Sequence, residues 1–188
     1  SMAKHLASNE TMLSHMRHSP GAFHRGLATL TESIGRFIEA ARAVGISGVY
    51  YAVQHAAYPL LSRAEFESFG RPYDLQALAA ADGLWCNIVH LHGTSVMFDL
   101  VAGYPAAFLN WHDRETGISL AEGLAQTEAA ASGGVSQWTI HRDGPDGMLA
   151  EVADARAQTG GRRLLLGTGC VIMTTTPLRN IRALREAA

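Results

Sequence analysis

Apolar positions recur at spacings of three and four from Phe23 through Leu27, Leu30, Ile34, Phe37 and Ala41 to Val44. On a helix with 3.6 residues per turn they form one stripe. Ser19-Pro20 supplies a cap and a proline at the first helical position, and Gly45 supplies the stop. The stretch before it, residues 1–18, has no clear period and is expected to be a loose N-terminal arm, leaving 19–188 as a single domain.

After Gly45 the pattern changes. "GVYYAVQ" is short, aromatic and β-branched, which predicts a strand. Ser62-Arg-Ala-Glu65 is a capping box and opens a helix that Arg71-Pro72 interrupts before "DLQALAAA" resumes it. "LWCNIVHL" predicts a second strand, "SVMFDLVAG" a short helix ending at Gly103, and "AAFLN" a third strand. Ser119-Leu-Ala-Glu122 is another capping box, and "GGVSQW" is a weak fourth strand. Pro145 to Ala157 reads as a helix with Met148, Leu149, Val152 and Ala155 inward. "RRLLLGT" is the fifth strand. Thr176-Pro177 then caps a final helix with Leu178, Ile181 and Leu184 inside and Arg179, Arg182 and Arg185 outside.

Short, mostly apolar strands thus alternate with helices five times. That is the pattern of a parallel sheet built from βα units, an α/β fold. Polar and special residues gather just after the strand ends: Gln54 and His55, His90 and His92, Asn110 to Arg114, Gln137, and Thr168 to Cys170. In a (β/α) barrel these loops share one rim, where active sites sit. No GxGxxG or P-loop follows a strand, so nucleotide binding is not supported.

Composition narrows the classes further. With 15 Lys+Arg against 17 Asp+Glu in 188 residues, the net charge of -2 argues against a nucleic-acid or membrane-surface partner. No apolar run reaches the roughly 20 residues of a membrane-spanning helix. Cys86 and Cys170 lie far apart with no secretion signal, so reduced thiols and a cytoplasmic location are expected.

"IVHLHG", "FLNWHDRETGISLAEG", "GGVSQ" and "LLLGTGCVIMTTTPLRNIRALREA", in this order and spacing, resemble the uroporphyrinogen decarboxylase superfamily. That superfamily holds the decarboxylase of porphyrin biosynthesis, a lyase, and the methyltransferases that pass a methyl group from corrinoid to coenzyme M. Its members are complete eight-stranded barrels. The resemblance runs from about Pro20 to the C-terminus and covers only their C-terminal half or slightly more. It implies a partial (β/α)8 barrel, a half-barrel of about five parallel βα units.

A five-stranded piece leaves two open edges and an uncovered inner face, here expected to include Tyr51, Ile88, Phe108 and Leu165 or their neighbours. Open edges and bare apolar faces favour association. A homodimer is therefore expected, each copy covering the open side of the other.

The methyltransferases of the superfamily bind zinc through a His-x-Cys-Gly motif and a later Gly-Cys. His90-Leu91-His92-Gly93 falls on the first, with His in place of Cys, and Cys170 falls on the second. His90, His92 and Cys170 are chemically acceptable zinc ligands that leave a fourth position open. The alternative is two hydrogen-bonded histidines and a cysteine packed as a small hydrophobe. His112 and Asp113 are a candidate acid–base pair, since a carboxylate can orient an imidazole; a solvated loop with Asp113 paired to Arg114 is the other reading. Gln54, His55, Asn110, Arg114 and Thr168 are candidate ligand contacts on the same rim. An anionic ligand at "GTGCVIMTTTP", where Thr176 begins a helix, competes with Thr176 as a plain cap.

The decarboxylase's N-terminal arginine and carboxylate belong to the half this sequence does not resemble, and a tetrapyrrole's carboxylates need several cations. Two classes remain. One is an enzyme of this superfamily, lyase or zinc-dependent methyltransferase, with a rim site assembled in a dimer. The other is a half-barrel without chemistry that pairs with itself or a partner.

Overall fold

The computed structural model describes residues 2–188. The chain begins with three helices, α1 (Met2–Ala7), α2 (Asn9–His18) and α3 (Pro20–Ala43). Five βα units follow. They run β1 (Tyr50–Val53) with α4 (Arg63–Phe69) and α5 (Arg71–Ala79), then β2 (Ile88–Leu91) with α6 (Phe98–Val101). Next come β3 (Phe108–Trp111) with α7 (Leu120–Leu124) and β4 (Ala130–Val135) with α8 (Thr139–Arg142) and α9 (Gly144–Thr159). The last is β5 (Leu164–Thr168) with α10 (Leu178–Glu186).

All five strands pair in parallel in the order β1-β2-β3-β4-β5. This is the parallel α/β sheet that the alternation of elements predicts, and it agrees with the half-barrel that the resemblance implies. Both capping boxes form as read: Ser62 accepts from the Glu65 amide and Ser119 from the Glu122 amide, each with the reciprocal carboxylate bond. The break at Gly70 between α4 and α5 falls where Arg71-Pro72 places it.

The two faces of the sheet are chemically distinct. Val53, Val89, Leu91, Leu109, Trp111 and Ala131 are buried in one core with Phe66, Leu78, Phe98, Leu120 and Ala155 of the surrounding helices. The alternate residues form the inner face in two layers. Tyr50, Ile88, Phe108 and Ala130 stand at one level, and Ala52, His90, Asn110, Ser132 and Leu165 at the next. Tyr50 remains 54% exposed and Leu165 40%. Of the two readings at this position, Tyr51 or its neighbour, it is the neighbour Tyr50 that lies on this face; Tyr51 points the other way, donating its hydroxyl to Asp74 of α5 at 2.8 Å.

Several sequence expectations change. Met2–His18 is not a loose arm. Met2–Ala7 and Asn9–His18 are helices, and the second is held because Ser8 caps it through the Thr11 amide, Met12 and Met16 are buried, and Arg17 pairs with Glu65 at 2.8 Å. Phe37 and Val44 lie off the buried stripe of α3, which instead covers Thr31 and Ile38. Strand β4 starts earlier than "GGVSQW", at Ala130, because pairing with β3 and β5 overrides the weak strand preference of Ala-Ala-Ser. Leu149 and Leu178 are exposed, while Asn180 is buried and donates to the Ile140 carbonyl at 2.8 Å. Among the described residues no helix is long and apolar enough to cross a membrane.

Candidate metal centre

Parallel pairing brings the C-terminal ends of all five strands to one rim, where the loops after β2, β3 and β5 meet, with β4 lying between β3 and β5. His90 lies in β2, and His92 follows it at the same phase of the strand, just before Gly93, whose φ of +96° turns the chain away. His112 follows the last residue of β3. Cys170 follows β5 after Gly169. A Cβ on Gly169 would lie 2.7 Å from the Trp111 carbonyl oxygen and 3.1 Å from His112 Cα, so only glycine allows this approach.

One donor atom from each of His90, His92, His112 and Cys170 lies within 4.8 Å of the others. Cys170 Sγ is 3.8 Å from His90 Nε2 and 3.7 Å from His92 Nδ1. The His112 ring centre is 5.2 Å from that of His92 and 5.8 Å from that of His90. Ligand atoms around a four-coordinate zinc sit about 3.3–3.6 Å apart. The sulfur–nitrogen distances are close to that spacing, so small ring movements suffice. Imidazole and thiolate donors suit zinc and other borderline transition metals rather than calcium or magnesium.

The inner environment holds the rings in place. Asn110, 2% exposed, accepts from His90 Nδ1 at 2.5 Å and from the Tyr50 hydroxyl at 2.9 Å. Its amide nitrogen donates to the carbonyls of Ser132 at 2.6 Å and Thr168 at 3.0 Å. Those carbonyls can only accept, which fixes the amide orientation and makes His90 Nδ1 the protonated nitrogen. His90 Nε2 is therefore a free lone pair turned to the sulfur. Thr168 in turn donates its hydroxyl to the Cys170 carbonyl at 2.6 Å and shapes the loop.

The cluster changes its own protonation. Burial alone raises the Cys170 thiol, yet the imidazoles of His112, His90 and His92 outweigh it and bring the thiol down to about 5. Contact with the Cys170 sulfur is the main reason that the His112 imidazole holds its proton above the ordinary range; burial opposes it and Glu115 adds to it.

The remaining sequence candidates take other places. Asp113 does not orient His112. Its Oδ1 accepts from the Gly134 amide at 3.2 Å, its Oδ2 lies 3.4 Å from Arg114 Nε, and burial raises its carboxyl to about 6. The carboxylate beside His112 is Glu115, whose Oε2 is 3.3 Å from Nδ1. Arg114, expected as an anion contact, is engaged through every guanidinium nitrogen with the carbonyls of Gly134 and Glu151 and with Asp154. Gln54 and His55 line a separate cavity of about 100 Å³ among α2, α3 and β1, where His55 meets Asn9 at 3.3 Å and burial lowers its imidazole to about 4. Thr176 does not cap α10; its hydroxyl lies 3.3 Å from His141 Nδ1.

Glu115 was not singled out by sequence. Glu115 had a signal in hindsight, an acid three residues after a histidine in a polar loop.

Comparison with known proteins agrees with this architecture. No curated protein matches the chain. A solved methyltransferase from Methanosarcina mazei superposes with a TM-score of 0.86 at 22% identity, over 98% of this chain and 54% of that one. The chain thus spans about half the length of that structure, and the likeness shows a shared fold. The uroporphyrinogen decarboxylase (URO-D) family matches residues 2–188, which is essentially the whole sequence. The chain belongs to the uroporphyrinogen decarboxylase family.

Proposed function

We propose that this half-barrel is a metal-dependent member of its family, in which His90, His92 and Cys170 hold a zinc-type cation at the rim and a second copy of the chain covers the inner face. The convergence of these donors from β2 and the β5 loop carries the reading. A zinc ion held there would supply a lowered pKa to a coordinated thiol or water, making it a nucleophile near neutral pH. The residues of the chain do the positioning. Asn110 fixes the His90 tautomer, Thr168 and Gly169 set the Cys170 loop, and the neighbouring imidazoles favour the thiolate.

This favours transfer chemistry on a thiol, as in the methyltransferases of the superfamily, over tetrapyrrole decarboxylation. The arginine at the rim, Arg114, is consumed by internal bonds, which leaves few cations for a polycarboxylate. A thiolate ligand also fits a reducing, cytoplasmic compartment.

The second copy is favoured by the sheet itself. β1 and β5 end it, and Tyr50 and Leu165 lie half-exposed beside a polar centre that needs water excluded to gain strength.

Zinc titration with a chelating indicator, followed by light scattering on the same sample, tests both parts. One zinc per chain and the mass of a dimer are expected. A chain that binds no zinc overturns the metal reading, and a monomer at micromolar concentration overturns the second copy.

A further inference from the structure

We infer that His112 is a fourth protein ligand of the metal, so that the resting site is closed by the chain itself rather than left open to solvent or substrate. This inference rests on the metal reading above. The sequence offers His112 and Asp113 as a candidate acid–base pair, with an Asp113–Arg114 pair as the other reading; both Asp113 oxygens are occupied, by the Gly134 amide and by Arg114.

Three observations give His112 the other role. Its donor nitrogen lies in the same group as those of His90, His92 and Cys170, all within 4.8 Å. Its ring is buried at 7% exposure, held against the cluster by the approach of Gly169. Its Nδ1 is turned to the Glu115 carboxylate at 3.3 Å, so Nε2 is the atom offered. A carboxylate or amide oxygen on the far nitrogen is the usual support of a metal-binding imidazole, because it fixes the tautomer and raises ligand basicity. Asn110 does this for His90, and Glu115 does it for His112. Glu115 is itself steadied by the Ser136 hydroxyl at 3.4 Å. The long 3.4 Å contact between the Gly93 amide and His112 Nε2 is given up when that nitrogen takes a cation.

Three histidines and one thiolate fill a four-coordinate zinc site. An incoming thiol must then displace a protein ligand instead of occupying an empty position, which makes ligand exchange a specificity step for this chain. A site of three ligands would accept a thiol directly.

Cobalt(II) substitution distinguishes the two. The unaltered chain is expected to give an intense four-coordinate visible spectrum with sulfur-to-cobalt charge transfer from one thiolate. Millimolar 2-mercaptoethanol is expected to change it little. His112→Ala should raise the zinc Kd at least about tenfold, and the same thiol should then add a second sulfur charge-transfer contribution. Glu115→Gln, which keeps the ring, should weaken zinc binding while leaving the band positions in place. Circular dichroism of the metal-free variants checks folding, and if His112→Ala fails to fold, Glu115→Gln decides. If the unaltered chain binds metal but takes up the thiol as readily as His112→Ala, with equal zinc affinity, the inference is overturned and the metal reading stands. If the chain binds neither zinc nor cobalt, both fall.

Discussion

Replacing Cys170 with serine is expected to weaken zinc binding by at least about a hundredfold while leaving the metal-free fold intact. Loss even of an outer partner of a metal ligand costs about ten- to a hundredfold in affinity, and Cys170 is the one sulfur in the cluster. A serine hydroxyl stays protonated and is a poor zinc ligand. The thiol, by contrast, is brought down to about 5 because three imidazoles outweigh its burial. Cys170 is only half-buried in a loop, so its removal leaves the packed core untouched. Cys86→Ser is the control: that cysteine is also free and half-buried but lies outside the cluster. Competition titration against a chelator should show the loss for Cys170→Ser alone. Equal losses in both variants, or none in either, contradict the assignment.

The second large effect lies outside the histidine–cysteine cluster. Asp74 of α5 is buried between two tyrosines, accepting from Tyr51 at 2.8 Å and Tyr104 at 3.1 Å. Burial raises its carboxyl to about 6, and the two hydroxyl donors only partly offset this. The folded chain therefore holds the Asp74 proton more tightly than the unfolded chain does. Below about pH 4 both states are protonated and the stabilising contribution is fully present. As pH rises from about 4 to 6 the unfolded state ionises first, and that contribution is lost. A shift from 3.8 to about 6 corresponds to about 3 kcal/mol.

Asp74→Asn does not titrate. At pH 4 it should be near neutral or slightly destabilising, because an amide offers one acceptor where the carboxyl group met two hydroxyl donors. Between pH 4 and pH 7 its stability relative to the parent chain should rise by about 3 kcal/mol. Urea denaturation of both proteins with a chelator present measures this, since bound metal would otherwise add its own stabilisation. Parallel pH profiles would falsify the raised carboxyl.

Much of this molecule was legible in its residues. The alternation of short apolar runs with capped helices gives the five parallel strands, and His-Leu-His before a glycine gives two donors on one face of a strand end. What escaped depended on phase or on contacts made at long range. Two adjacent tyrosines in "GVYYAVQ" carry no phase signal, and a one-residue ambiguity exchanges the core face for the inner face; hence Tyr50, not Tyr51, lies over His90. The first helices are polar on most sides and are held by Met12, Met16 and the Arg17–Glu65 pair, partners that local pattern does not reveal.

The role of Asp113 against Glu115 turned on a loop. The amides of Glu115 and Thr116 both bond back to the His112 carbonyl at 2.8 Å. That curl returns the third residue, not the next one, to the imidazole. Sequence adjacency pointed to the wrong carboxylate for that reason. Asn110 was singled out as a ligand contact, yet its four hydrogen bonds reach four different strands and make it the piece that aligns His90.

The most direct measurement is zinc K-edge X-ray absorption on the zinc-loaded chain. A shell of one sulfur at about 2.3 Å with imidazole nitrogens at about 2.0–2.1 Å is the expected result. A shell of light atoms with no sulfur would contradict the assignment of the three loops to one metal.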